Sequence, residues 1–261
     1  MRRRAWPSVV LLALVAIFLA YPLYALFEFS VRFPLTGNVS FDAWTKLFGG
    51  TDQSRLAPLY QGVVNSLLIA ALTVTIMLAL LVPTMIWVRL RLPRLSRIVE
   101  FCALLPLTLP AIVLVVGLVP IYRFISTSLL NTDAIWLCFA YVILVLPFAY
   151  RALDSGLSAL DLETLATAAR SMGASWPTVI LRVVLPNLRT AIASAAFISI
   201  AVVLGEFTIA RMLARETLQT GVMLVNQAAP QVAAAVSLLS LLFGIALLVG
   251  ISFFTNRRPT R

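Results

Sequence analysis

The sequence predicts an all-α polytopic membrane protein of six transmembrane helices, with a further short helical segment between the fourth and fifth. Three observations carry that prediction. Of 261 residues, 61% are hydrophobic and 11% charged, too few polar positions to coat a water-soluble globule of this size. The apolar residues gather in six runs, most of them close to the ~20 residues a helix needs to cross a hydrocarbon layer roughly 30 Å thick. Within the runs there is no polar–apolar alternation at every second residue, as a transmembrane β-strand would show. Residues 1–261 therefore read as a single transmembrane domain.

The expected spans are residues 7–29, 63–88, 101–122, 134–150, 190–210 and 232–254. The first follows Arg2, Arg3 and Arg4 as a secretory signal would, but its apolar run is too long and no Ala-x-Ala site follows, so it is expected to be retained. The connection 30–61 carries Pro34, Gly37, Gly49, Gly50 and Pro58. It reads as an irregular loop with a short helix near 41–48. In the second span Asn65, Ser66, Thr73 and Thr75 are suited to hydrogen bonds between helices. Pro106 and Pro110 in the third and Pro147 in the fourth interrupt backbone bonding and favour bending there. Trp6, Trp87 and Trp136 fall near span ends, where amphipathic rings anchor helices.

Arginine and lysine set the orientation, because positively charged loops resist translocation. Fourteen of the twenty lie at the termini and in the second-to-third and fourth-to-fifth connections, among them Arg89, Arg91, Arg94, Arg97, Arg151, Arg170, Arg182 and Arg189. Six lie on the other side: Arg32, Lys46, Arg55, Arg123, Arg211 and Arg215. Both termini are thus expected in the cytoplasm.

The formal charge of +10 does not indicate nucleic-acid binding, since the basic residues sit between apolar runs rather than on one solvated face. The absence of histidine removes His-ligated metals and histidine acid–base chemistry. The single lysine, Lys46, follows Thr45 and belongs to no phosphate-binding loop. Cys102 and Cys138 lie inside apolar runs and predict no disulfide.

The internal segment 154–189 has helical signals of its own. Ser158 and Asp161 form a variant capping box, with Asp161 itself able to cap a helix through Leu162, Leu165, Ala166 and Ala169. Ala166, Ala168, Ala169 and Gly173 are small and suit close approach by a partner backbone. Gly173 is expected to end this helix. Ser175 and Pro177 begin a second one, which Pro186 ends or bends before the fifth span.

Ala168-Ala169, three residues, Gly173, nine residues, Val183, one residue and Leu185-Pro186 closely resemble the cytoplasmic loop signature of binding-protein-dependent ABC importer permeases. Its usual form is Glu-Ala-Ala, three residues, Gly, nine residues, Ile-x-Leu-Pro. Thr167 stands in place of the glutamate and Val183 in place of the isoleucine; valine keeps the apolar contact, whereas threonine removes a charge. The resemblance implies a coupling helix that docks on a separate cytoplasmic ABC ATPase dimer. On that reading the partner ATPase binds ATP and Mg, and this chain carries no cofactor or catalytic residue. It implies also a second permease subunit, an extracytoplasmic substrate-binding protein and a bacterial cytoplasmic (inner) membrane location.

Glu206, in Val203-Leu204-Gly205-Glu206-Phe207, is an acid near the outer end of the fifth span. It either faces the substrate pathway or reaches the interface and pairs with Arg211. The Gly-Glu-Phe stretch resembles one in permeases for polyamines and for small oxyanions, which carry opposite charge. Overall length favours a polyamine such as spermidine or putrescine, with sulfate- or molybdate-type oxyanions, phosphonate, thiamine and ferric iron as alternatives. A gradient-driven transporter or channel is the next reading, but it would be expected to hold several intramembrane acids or inverted repeats. An intramembrane enzyme would need a clustered nucleophile, base or metal site, and the sequence offers none.

Overall fold

The computed structural model describes residues 6–32, 37–49, 53–129 and 131–255. Arg2, Arg3, Arg4, Pro34, Gly50, Arg257, Arg258 and Arg261 lie outside them. Among the described residues the regular secondary structure is helical apart from an isolated bridge between Arg32 and Val39. In order, the helices are α1 (Trp6–Val31), α2 (Asp42–Gly49), α3 (Gln53–Arg91), α4 (Ser96–Leu104) and α5 (Ala111–Phe124). There follow α6 (Leu137–Ser158), α7 (Leu162–Ser171), α8 (Trp176–Thr178) and α9 (Leu185–Gly205). The last are α10 (Thr208–Met212), α11 (Leu218–Ala228) and α12 (Pro230–Thr255). Among the described residues, five stretches are long and apolar enough to cross a membrane, or six if a bent pair forms one span.

The chain divides into two compact units. One comprises Met1–Tyr60 and Gly221–Ile245, the other Gln61–Thr220 and Ala246–Arg261. In the first, α1 is apolar on every side and exposed along its central length, the pattern of a helix whose solvent is lipid. The chain turns after α1 through Gly37, whose φ of +69° lies where a side chain is strained. The amide of Ser40 then donates to the carbonyl of Val31 at 2.6 Å. α3 begins eight residues before Gln61, so the connection from α1 is shorter than its composition implied. At 39 residues α3 is ~58 Å long, well beyond the hydrocarbon thickness. Gly221 of α11 lies against its first turns, where an added Cβ would meet Leu59 Cα at 2.9 Å.

The second unit is built on α6 and α9. Leu137, Tyr141, Val145, Leu153 and Leu157 of α6 and Leu188, Ala195 and Val203 of α9 belong to one buried apolar cluster. The two helices approach closely at Gly156, where an added Cβ would overlap the Cβ of Ala191 and reach Leu188 Cδ2 at 3.3 Å. Arg89, at the end of α3, closes the same end of α6: its guanidinium donates to Asp154 Oδ1 at 2.5 Å and to Ser158 Oγ at 2.9 Å. Ser158 therefore spends its hydroxyl on Arg89 rather than on a capping box. Arg151 pairs with Glu100 at 3.1 Å.

Three expectations change. The run 101–122 is broken: 93–108 and 111–127 meet at 102°. Leu109, at φ −101° and ψ 126°, has the extended backbone that a following proline imposes, and Pro110 has no amide to continue the helix. Pro147, by contrast, sits inside an unbroken α6. Finally, the connection after the fifth span contains α10 and α11, which are too short to register as spans. The start of α11 is held by α3: Ser66 Oγ accepts from the Leu218 amide at 2.8 Å, and Asn65 Nδ2 donates to the Glu216 carbonyl at 2.9 Å. Gly62 lets the Thr217 backbone approach. Thr75 bonds the Ala71 carbonyl of its own helix, and the Thr73 hydroxyl is buried without a hydrogen-bond partner among the described residues.

Replacing Gly156 by valine should destabilise the α6–α9 contact by about 1–3 kcal/mol, the usual cost of overpacking. Thermal unfolding of the detergent-purified protein measures it; a variant as stable as the parent would contradict the close approach.

Candidate functional site

The segment 154–189 folds as its local chemistry requires. Asp161 Oδ1 accepts from the Thr164 amide at 3.2 Å and caps α7, satisfying one of the donors a helix start leaves free. Hydrogen bonding by Thr164 holds this exposed carboxyl below its ordinary range. The cap is therefore intact at neutral pH and is lost as pH falls through that lowered value. At the other end the Gly173 amide donates to Arg170 at 2.9 Å and the Ala174 amide to Ala169 at 3.1 Å. Gly173 itself has φ +84°. This is the paired-bond helix stop that needs a left-handed residue, and glycine supplies it without strain.

The small residues of α7 divide between two faces. Leu162, Ala166 and Ala169 are buried, and α7 packs on 179–184. Ala166 and Ala169 thus serve close approach by the chain itself and not by a partner. Thr167, Ala168 and Gly173 are exposed. Met172, which the spacing pattern did not single out, is 83% exposed at the tip. An apolar side chain so displayed beside Ala168 is the signal that sequence reasoning passed over.

After Ser175 the chain does not form a separate short helix. α8 runs through a π-helical stretch, Val179–Val184, into α9, and Trp176–Gly205 counts as one candidate span. Pro186 lies in the first turn of α9. Its missing amide falls just after the widened π turn, which absorbs the interruption instead of ending the helix. Val183 and Leu185 are half-buried and Pro186 is exposed.

Two arginines lie over the Trp176 ring. The Arg91 guanidinium carbon is 4.8 Å and that of Arg170 5.6 Å from its centroid, within cation–π range. Arg170 also donates to the Ala174 carbonyl at 2.7 Å. The end of α3, the end of α7 and the start of α8 are thereby joined around one indole. Arg91 and Arg170 entered the sequence reading only as topology signals, because the partner that gives them a second role is remote in sequence from Arg91.

Glu206 is buried and makes no ion pair with Arg211, which is exposed. It accepts from the Tyr141 hydroxyl at 2.8 Å, from the Ile209 amide at 2.8 Å and from the Ala210 amide at 3.3 Å. The carboxylate stands at the break between α9 and α10 and bonds the first amides of α10, where negative charge is favoured, while Tyr141 ties it to α6.

The sequence profile of the family described as "Binding-protein-dependent transport system inner membrane component" matches residues 71–257, well over half of the chain and the whole of 154–189. No curated protein matches by sequence. Among solved structures, the chain is similar to one in the crystal structure of a bacterial ABC transporter involved in the import of the acidic polysaccharide alginate. The TM-score is 0.67 at 15% identity, covering 96% of this chain and 95% of that one; at that identity the likeness is one of fold. On the extent of the profile match, and with a helical membrane architecture to suit it, the chain belongs to the family of binding-protein-dependent transport system inner membrane components.

Proposed function

We propose that this permease subunit lines the substrate pathway of an ATP-driven importer and receives the motion of its ATPase through α7. The observation that carries the reading is the two-faced packing of α7. Its exposed side offers Thr167, Ala168 and Met172, and its buried side rests on 179–184, which continues into α9. A push on the exposed side therefore reaches α9, and through the α9–α6 contact the centre of the second unit. Arg91, Trp176 and Arg170 add a second route into α3. ATP and Mg act on two cytoplasmic ATPase subunits. A second permease, either another copy or a relative, completes the pathway, and an extracytoplasmic protein delivers the cargo. The assembly sits in a bacterial inner membrane with both termini of this chain cytoplasmic, as the arginine distribution favours.

For the cargo we retain a polyamine such as spermidine or putrescine, on the resemblance in length and in Gly205-Glu206-Phe207. Glu206 takes part in that assignment as a cap and not as the cation site, since its oxygens are already engaged. The transporter of similar fold is involved in the import of an acidic polysaccharide, which sets the contrasting case. The binding protein that co-purifies with this chain should gain thermal stability with spermidine or putrescine; a response to alginate oligosaccharides, sulfate, thiamine or ferric iron alone would overturn the polyamine reading.

Ala168→Trp places bulk on the exposed face without straining the helix, whereas Gly173→Trp would add bulk and also strain a left-handed residue. Ala168→Trp should insert normally yet lower partner-stimulated ATPase activity and transport by roughly tenfold, as loss of about 1.4 kcal/mol at an interface does. Unchanged stimulation and transport would refute docking at this face. Trp176→Leu should leave the ATPase subunits bound but reduce solute moved per ATP hydrolysed, with Trp176→Phe intermediate. Equal coupling in all three proteins would show that the indole plays no part. Tyr141→Phe and Glu206→Gln should each cost about 1–3 kcal/mol of stability with cargo charge preference unaltered. A stable Glu206→Gln protein that lost uptake of cations alone would put the carboxylate in the pathway.

A further inference from the structure

The surface of α2 divides into three sectors that a buried or a freely solvated helix would not combine. At about 100° per residue, Ala43 and Leu47 fall on one side, and both are buried. Asp42 and Lys46 fall on a second, where they pair at 2.7 Å, and Thr45 lies between that side and the third. Trp44 and Phe48, with Phe41 just ahead of the helix, fall on the third. Phe41 is 59% and Phe48 72% exposed, and the rings of Trp44 and Phe48 stack with centroids 6.4 Å apart. Phe41 and Phe48 are displayed, with Trp44 half-buried between them and the buried side.

The position of α2 is fixed against the end of α1. Trp44 Nε1 donates to Ser30 Oγ at 3.2 Å, the Ser40 amide bonds the Val31 carbonyl, and Tyr60 donates to the Leu47 carbonyl. α1 is exposed and apolar up to this end, with Tyr24, Phe27 and Phe29 all exposed. The Glu28–Arg32 ion pair at 2.6 Å then marks where its surroundings become polar. The aromatic stripe of α2 thus begins where a lipid-facing helix leaves the hydrocarbon.

We infer that α2 is an interfacial anchor that lays Phe41, Trp44 and Phe48 into the headgroup–acyl boundary of the outer leaflet. Aromatic rings on one side with Lys46 and Asp42 beside them match the composition of a helix lying in that boundary. Continuity with the exposed apolar end of α1 favours lipid over protein as the occupant. Size agrees: the exposed parts of three aromatic side chains amount to about 300 Å², whereas a stable protein interface takes roughly 800 Å² from each partner. By holding the outer end of α1 at a set depth, the anchor resists axial sliding of that helix.

The test uses the assembled transporter in lipid nanodiscs. Spin labels are placed singly through Phe41→Cys, Lys46→Cys and Phe48→Cys on a Cys102→Ser background, since Cys102 is exposed and Cys138 buried. Labels at 41 and 48 should collide several-fold more with oxygen than with a water-soluble nickel chelate, and the label at 46 should show the reverse. Preferential nickel access at 41 and 48 overturns the inference, and so does protection from both reagents, which means that a protein covers the stripe. Should a labelled variant fail to assemble, Trp44→Phe keeps a ring in place and provides the second measurement. It should abolish the share of tryptophan fluorescence that headgroup-proximal brominated lipids quench through Trp44, one of five tryptophans; unchanged quenching overturns the anchor.

Discussion

An amide or carbonyl in or beside hydrocarbon has no water to bond, so each interruption of a helix must bring its own substitute partner. The breaks in this chain follow that constraint. Where α9 gives way to α10, the Glu206 carboxylate takes the first amides of α10 and the Tyr141 hydroxyl. Where α11 begins, Ser66 of α3 accepts from its first amide. Between α4 and α5 the Leu109 amide bonds the Pro106 carbonyl, the Pro110 carbonyl accepts from the Val113 and Leu114 amides, and Pro110 itself brings no amide to satisfy. At Pro186 the position without an amide directly follows a π turn, and the helix continues across it. The polar residues in apolar runs are thus largely repairs to the backbone.

The same economy shapes α7. Its two caps are local, Asp161 at the start and Gly173 at the end, so it holds its form without drawing on a partner. Its packing is not local, because Leu162, Ala166 and Ala169 are buried in the cluster that includes Val179 and Val184. A segment braced on one side and bare on the other transmits force well, which is the physical ground for the proposed coupling. The Arg91–Trp176–Arg170 cluster strengthens it, since cations over an indole tolerate small displacements that a directional hydrogen bond does not.

Some of this was legible in the residues. The caps of α7 follow from Asp161 and Gly173 because capping depends on a few neighbouring residues. Ser66 was correctly read as reaching another helix, though nothing in its spacing named α11, while Asn65 bonds the loop residue Glu216 just ahead of it. The small residues misled: Ala166, Ala168 and Ala169 look alike in a string, and only their helical phase against 179–184 separates the buried pair from the exposed one. Glu206 was read as facing the pathway or pairing with Arg211, five residues on, while its side-chain partner, Tyr141, comes from a different helix 65 positions away in sequence. Met172 went unnoticed because exposure of an apolar residue is a property of its surroundings.

By itself the sequence determined the helical membrane class, the family signature in 168–186 and the local starts and stops of helices. All of these rest on composition or on residues a few positions apart, and the physics of hydrocarbon and of helix ends acts at that range. The bend in the third run also follows from Pro110 within the sequence, whereas only the tertiary structure decided that Trp176–Gly205 is continuous. It alone decided which alanines of α7 face outward, what Glu206 binds and that Arg91 meets Trp176. Each of these is settled by a competition among distant groups for the same limited set of partners, and a linear pattern does not record which of them wins.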